Sequence, residues 1–214
     1  TETLNVLREG NSHECCDHVV SLLNRGVSPR SIWNALLCGS GELLMRQPGI
    51  VALHAVTSSN ALRYAYATSG VDEVRKMLLL QNAAFLPLFR EEMRRRGSVG
   101  TQKVDQLEAR ETSESGSNAI AEIFSDLSRD RNLAAGKVLR YLGAAPAEPL
   151  LDAARRLIFL KGTDSHDYKF SSAVLEDYYS LSPKWRNRYL ATAMFNLRGS
   201  ESRDNGLAER TRVA

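Results

Sequence analysis

The chain has 214 residues, is 43% hydrophobic and 25% charged, and carries a net charge of +3. That length buries a substantial core without staples, and the charge is too small to argue for nucleic acid, whose binders concentrate Lys and Arg on one face. Cys15, Cys16 and Cys38 form an odd set with no C-x-x-C spacing, which speaks against a disulfide framework or a zinc ribbon and for a reducing, cytoplasmic location. No run reaches the roughly 18 to 20 apolar residues of a membrane span, and no leader pattern opens the chain.

Apolar positions recur at three- and four-residue spacing throughout, and alternating strand patterns are nearly absent. The predicted fold is therefore all-α, an irregular bundle of about eight or nine helices. The first helix is expected over 13–24 with Cys16, Val19, Val20 and Leu23 facing inward, closed by Gly26 as a C′ residue. Ser28 as N-cap and Pro29 at N1 open the next, to about residue 46, and Pro48-Gly49 ends it. A helix over about 50–68 carries His54 in an apolar run, and a longer one over 71–96 contains Pro87, expected to kink it, and Asn82 as a second buried polar group.

Residues 97–118 change to Gly, Ser, Thr, Gln and Glu, which predicts a mobile loop, linker or lid. Helices then follow at about 118–128, 131–142, 147–161, 166–179 and 183–197, before a polar tail, 198–214. The organisation expected is a helical subdomain, 1–96, the polar segment, and a second helical subdomain, 119–197, within one compact domain. The start at Thr1 suggests processing, or the later part of a longer polypeptide.

Two clusters are candidates for chemistry. Thr57 and Ser58 are the i+3 and i+4 partners of His54, with Asn60 further round, so an imidazole and hydroxyls share a helix face. The competing expectation is a satisfied core histidine with back-bonded hydroxyls. In the second cluster, Asp164 has the position of an N-cap and His166 sits in the first helical turn, where the dipole favours a neutral ring, with Lys169 on the same face. A His beside a Lys can move a proton and hold a substrate oxyanion. His54 and His166 form one site only if they lie within about 12 Å of each other. They could then also be haem or metal ligands with Glu42 or Asp177, although no Glu-x-x-His motif is present.

The run Leu53-His54-Ala55-Val56-Thr57 with Ala61-Leu62-Arg63, the apolar helix from Met77 to Phe89, and Gly162 to Lys169 resemble the later half of questin oxidase-like proteins. These helical proteins carry H-x-x-T, A-L-R and D-x-H-x-x-K patterns in the same order, and the later match continues through Ala173, Leu175, Tyr178 and Arg186. The resemblance covers about half the chain in two short pieces. Family members tend to have a further His where Asn60 stands, and their earlier half bears histidines without counterparts here. What the resemblance implies is an NADPH-linked oxygenase acting on an aromatic polyketide.

On this reading His54, His166 and Lys169 are catalytic, and Thr57, Asn60, Asn82 and Asp164 bind an apolar or aromatic small molecule between helices. The cofactor is otherwise unassigned and no metal is assigned. The alternative is a non-catalytic helical scaffold, as a homo-oligomer or assembled with a missing N-terminal portion.

Overall fold

The computed structural model describes residues 2–214. They form eleven α-helices, two 3₁₀ turns and no strand. The helices are α1 (Glu2–Glu9), α2 (Ser12–Asn24), α3 (Pro29–Arg46), α4 (Ile50–Thr68), α5 (Asp72–Arg95), α6 (Gly116–Asp126), α7 (Arg131–Ala144), α8 (Glu148–Lys161), α9 (Ser165–Ser180), α10 (Pro183–Thr192) and α11 (Gly206–Thr211). Two of them, α1 and α11, lie where no helix is expected from the sequence. None of the helices is long and apolar enough to cross a membrane.

Local chemistry explains most boundaries. Asn11 and Glu14 make a reciprocal capping box at the start of α2, which satisfies amides that no carbonyl in the helix can reach. Gly26, at φ +76°, turns the chain after α2 at no Cβ cost. Pro29 stands at the start of α3 as expected, but Ser28 makes no side-chain cap. α5 continues through Pro87.

The core is built around α3, in which nearly every residue from Ile32 to Met45 is buried. It packs against α1, α4, α5 and α10. Gly41 lets α10 approach closely: a Cβ there would stand 2.5 Å from the Thr192 hydroxyl. The helix α1 corrects the expected face of α2. Cys15, Val19 and Leu22 are the buried positions, whereas Val20 is 40% exposed and Cys16 and Leu23 are only half-buried. With α1 laid beside α2, the Cys15 thiol reaches the Val6 carbonyl, so the apolar stripe is rotated toward a neighbour that the periodicity of α2 alone does not reveal.

The polar segment 97–118 is also corrected in part: residues 100–110 form a packed strap, while 113–118 are exposed and α6 begins at Gly116. Val104 is fully buried and its amide donates to Glu42 Oε2 at 3.0 Å. Gly100 N donates to the Arg46 carbonyl, Arg188 donates to the Val104 and Leu107 carbonyls, and Arg110 N donates to the Gly136 carbonyl. The strap therefore joins α3, α7 and α10, and the division into 1–96 and 119–197 does not mark two separate cores.

Its anchor is a buried ionic cluster. Arg8 donates to both oxygens of Glu42, at 2.8 and 2.6 Å, and to Asp105 at 2.5 Å, while Arg46 reaches Glu42 at 2.9 Å. Glu42 holds the Arg8 guanidinium firmly in its charged form. Burial pushes the Asp105 carboxyl up, but Arg8 more than reverses this and leaves it below the usual carboxylate range. Removing one member strands buried charge, which typically costs about 3–5 kcal/mol. Glu42→Ala is thus expected to lower unfolding free energy in urea by that order and to speed hydrogen exchange at the Val104 amide. A loss below about 1 kcal/mol would contradict the anchor.

Candidate functional site

Helices α4 and α9 pack side by side. Two pairings along their seam, His54 with His166 and Asn60 with Asp177, rise together in number, so the helices run in the same general direction. At its start the seam carries the two imidazoles. Their ring centroids are 5.5 Å apart and the rings cross at 85°, edge to face.

The start of α9 sets the position of His166. Asp164 accepts from the amides of His166 and Asp167, at 2.8 and 3.3 Å, in the N-cap role expected for it. Those two amide bonds hold its carboxyl below the usual range. The same carboxylate lies 3.4 Å from His166 Nδ1, which leaves Nε2 free. His166 keeps 44% of its side chain exposed, and His54 is exposed as well. The expectation of a core histidine in α4 is therefore corrected: the apolar neighbours of His54 face inward and the imidazole faces out. Lys169 is exposed one turn along α9 and makes no ion pair among the described residues.

The residues expected to bind a substrate beside the imidazoles divide differently. Thr57 is buried and its hydroxyl donates back to the His54 carbonyl at 3.5 Å. Asn82 is buried on α5, where its carbonyl accepts from Ser59 Oγ at 2.9 Å and its Nδ2 has no partner among the described residues. Asn60 donates to Asp177 Oδ1 at 3.2 Å. These three serve helix contacts, not a surface shared with the histidines, because the turn of α4 that points His54 outward points Thr57 and Ser59 into the bundle. The open clefts of 520, 570 and 580 Å³ elsewhere on the molecule are lined by neither imidazole.

Further along, the same seam seals an acid. Asp177 is 2% exposed, and its second oxygen accepts from the hydroxyl of the fully buried Tyr189 on α10 at 3.2 Å. Burial pushes the Asp177 carboxyl up to about 6, against the hydrogen bonds from Asn60 and Tyr189. Burial and the neighbouring Asp177 charge also push the Tyr189 hydroxyl well above its ordinary range, so it serves as a neutral donor. The sequence carries no clear signal for this cluster, because Asp177 follows Glu176 and its partners lie on two other helices, α4 and α10.

The two carboxylates considered as further ligands are committed elsewhere, Glu42 to Arg8 and Arg46 and Asp177 to Asn60 and Tyr189. Among the described residues no group of three or more His, Cys, Asp or Glu side chains is placed to hold a metal ion. Comparison with known proteins gives no match: no family model, curated protein or solved structure aligns significantly with the chain.

The buried acid has a pH signature. Between the usual value of 3.8 and about 6 the folded chain holds a proton on Asp177 that the unfolded chain has released. Stability from this group therefore falls as pH rises through that window, and the cost persists above it. Asp177→Asn removes the titration. Urea unfolding at pH 4.5 and 7.5 is expected to show the wild type losing on the order of 2 kcal/mol relative to the variant over that rise. A pH-independent difference would show that Asp177 titrates normally.

Proposed function

We propose that the His54–His166 pair is the proton-handling centre of an oxidoreductase acting on an apolar or aromatic small molecule. The observation that carries this reading is the meeting, at 5.5 Å, of two imidazoles from distant parts of the chain at a solvent-accessible seam. One neutral ring accepts a proton from a substrate hydroxyl while the other holds the adjacent oxygen, and Lys169 supplies positive charge one turn away. The resemblance of the motif order to that of questin oxidase-like proteins supports an aromatic substrate.

Both rings open outward, so the substrate sits on the outer side of α4 and α9. Its far wall comes from a second copy or from a further portion of a longer polypeptide. NADPH, implied by the resemblance, does not fit the described residues at this seam. The α9 N-terminus is the obvious phosphate cradle there, and Asp164, itself anionic, already takes two of its free amides. A reducing compartment such as the cytoplasm suits Cys15, Cys16 and Cys38, all unpaired, with the Cys15 thiol pushed up to about 11 by burial.

A second reading, a non-catalytic helical scaffold, is favoured by one different observation. Val71, Val74 and Met77 recur every third residue at the start of α5 and are 53%, 40% and 67% exposed, with Tyr64 exposed on α4.

A hydroxyanthraquinone probe separates the two readings. His54→Ala and His166→Ala are each expected to weaken its binding, followed by its visible absorption, at least about tenfold, with the far-UV spectrum and urea midpoint unchanged. Unchanged binding in both variants, together with a change in sedimentation for Met77→Arg, would replace the catalytic reading by the scaffold.

A further inference from the structure

A separate feature lies between α6 and α8, away from the histidines. An open groove of about 580 Å³ runs between these helices, floored by Ile120 and Phe124 of α6 and Leu157 and Leu160 of α8. The volume falls within the range of small-molecule sites, roughly 300–1,000 Å³. Lining positions on α8 extend from Pro149 to Leu160, which the helical rise converts to about 16 Å of trough.

The third side of the groove is a fixed wall. Ser200 N donates to the Phe124 carbonyl at 2.8 Å, and Asn205 N donates to the Leu160 carbonyl at 2.7 Å, so the segment after α10 is tied to the C-terminal ends of both floor helices. Lys161, itself 8% exposed, bonds Asp204 at 2.7 Å and also donates to the Ser202 carbonyl. These bonds make the wall part of the fold.

Charge then selects the occupant. Three cations line the groove, Arg156, Lys161 and Arg212, against one carboxylate, Asp204. Lys161 and Arg212 both pair with Asp204. Arg156 is exposed and has no ionic partner among the described residues. An apolar trough with one uncommitted guanidinium on its rim is complementary to a molecule that is apolar along its length and anionic at one end, since the guanidinium takes a carboxylate in bidentate fashion.

We infer that the α6–α8 groove binds a free single-chain carboxylate, its tail along Ile120, Phe124, Leu157 and Leu160 and its head at Arg156. This site is independent of the imidazole pair.

The test is titration of the full chain with dodecanoate below its micellar concentration, read by methyl NMR and calorimetry. The expected result is saturable binding that shifts the methyls of Ile120, Leu157 and Leu160. Affinity should fall at least about tenfold in Arg156→Glu, whose exposed position leaves the fold intact, and should fall with octanoate in place of dodecanoate. Dodecyltrimethylammonium is expected to bind the wild type more weakly than dodecanoate, with that order reversed in Arg156→Glu.

Four outcomes overturn the inference. They are shifts confined to other faces such as that of Met77, equal affinity for the two head groups, no effect of Arg156→Glu, and binding to anionic vesicles or to an acidic amphipathic peptide with none to monomeric dodecanoate. Retained dodecanoate binding in His54→Ala keeps the site separate from the proposed catalytic centre.

Discussion

The carboxylate of Glu42 is the one buried charge on which three separate parts of the chain converge. It lies within the most buried helix of the bundle and would be prohibitively placed there alone, since a buried charge costs several kcal/mol unless paired and hydrogen-bonded. Its partners come from three directions: Arg8 from α1, Arg46 from its own helix, and the Val104 amide from the strap. Asp105 closes the cluster from the far side of Arg8. Satisfying one acid thus recruits the N-terminal helix and the polar strap to the central helix, and with them the cover over the Leu4 and Val104 side of the core. Arg90 adds to this by donating to the Leu7 and Gly10 carbonyls, where the end of α1 needs donors.

The α4–α9 seam shows the same principle at the imidazole pair. Its sealed part holds Asp177 between Asn60 and Tyr189, and its open part holds His54 against His166. Both features sit on the same two helices, so the buried hydrogen bonds that fix how α4 lies on α9 also fix the separation of the imidazoles. A polar group inside the bundle serves here as a register pin for groups outside it. The proposed chemistry asks for such positioning, because two rings engage adjacent oxygens of one substrate only at a held separation.

The groove between α6 and α8 is built by other means. Backbone amides of the segment after α10 bond to carbonyls at the ends of both helices, and the charged side chains follow from that placement. Lys161 and Arg212 are paired with Asp204, as Arg8 and Arg46 are with Glu42, and Arg156 is the exception. Arg8 and Arg46 are consumed by a carboxylate inside the protein, while Arg156 has none and faces solvent beside an apolar floor.

Helix-forming stretches, their punctuation at Gly26, Pro29 and Pro48-Gly49, and the cap at Asp164 were legible because they depend on bonds between residues a few positions apart. So was the burial of Asn82 in the apolar run of α5. The inward face of α2 was not, since it depends on α1, a short helix whose stability comes from docking and not from propensity. Nor was the strap: residues 97–118 read as solvated because their composition is polar, yet the Val104 amide answers Glu42, Asp105 answers Arg8, and the Val104 and Leu107 carbonyls answer Arg188.

The sequence by itself determined that this chain is helical and that His54 and His166 each open or interrupt an apolar pattern. Only the tertiary structure decided that His54 faces outward, that His166 stands 5.5 Å from it, and that Asn60 turns to a buried acid instead of to a ligand. The physical reason is that periodicity names the faces of a helix relative to one another, whereas which face is dry depends on the neighbours that pack against it.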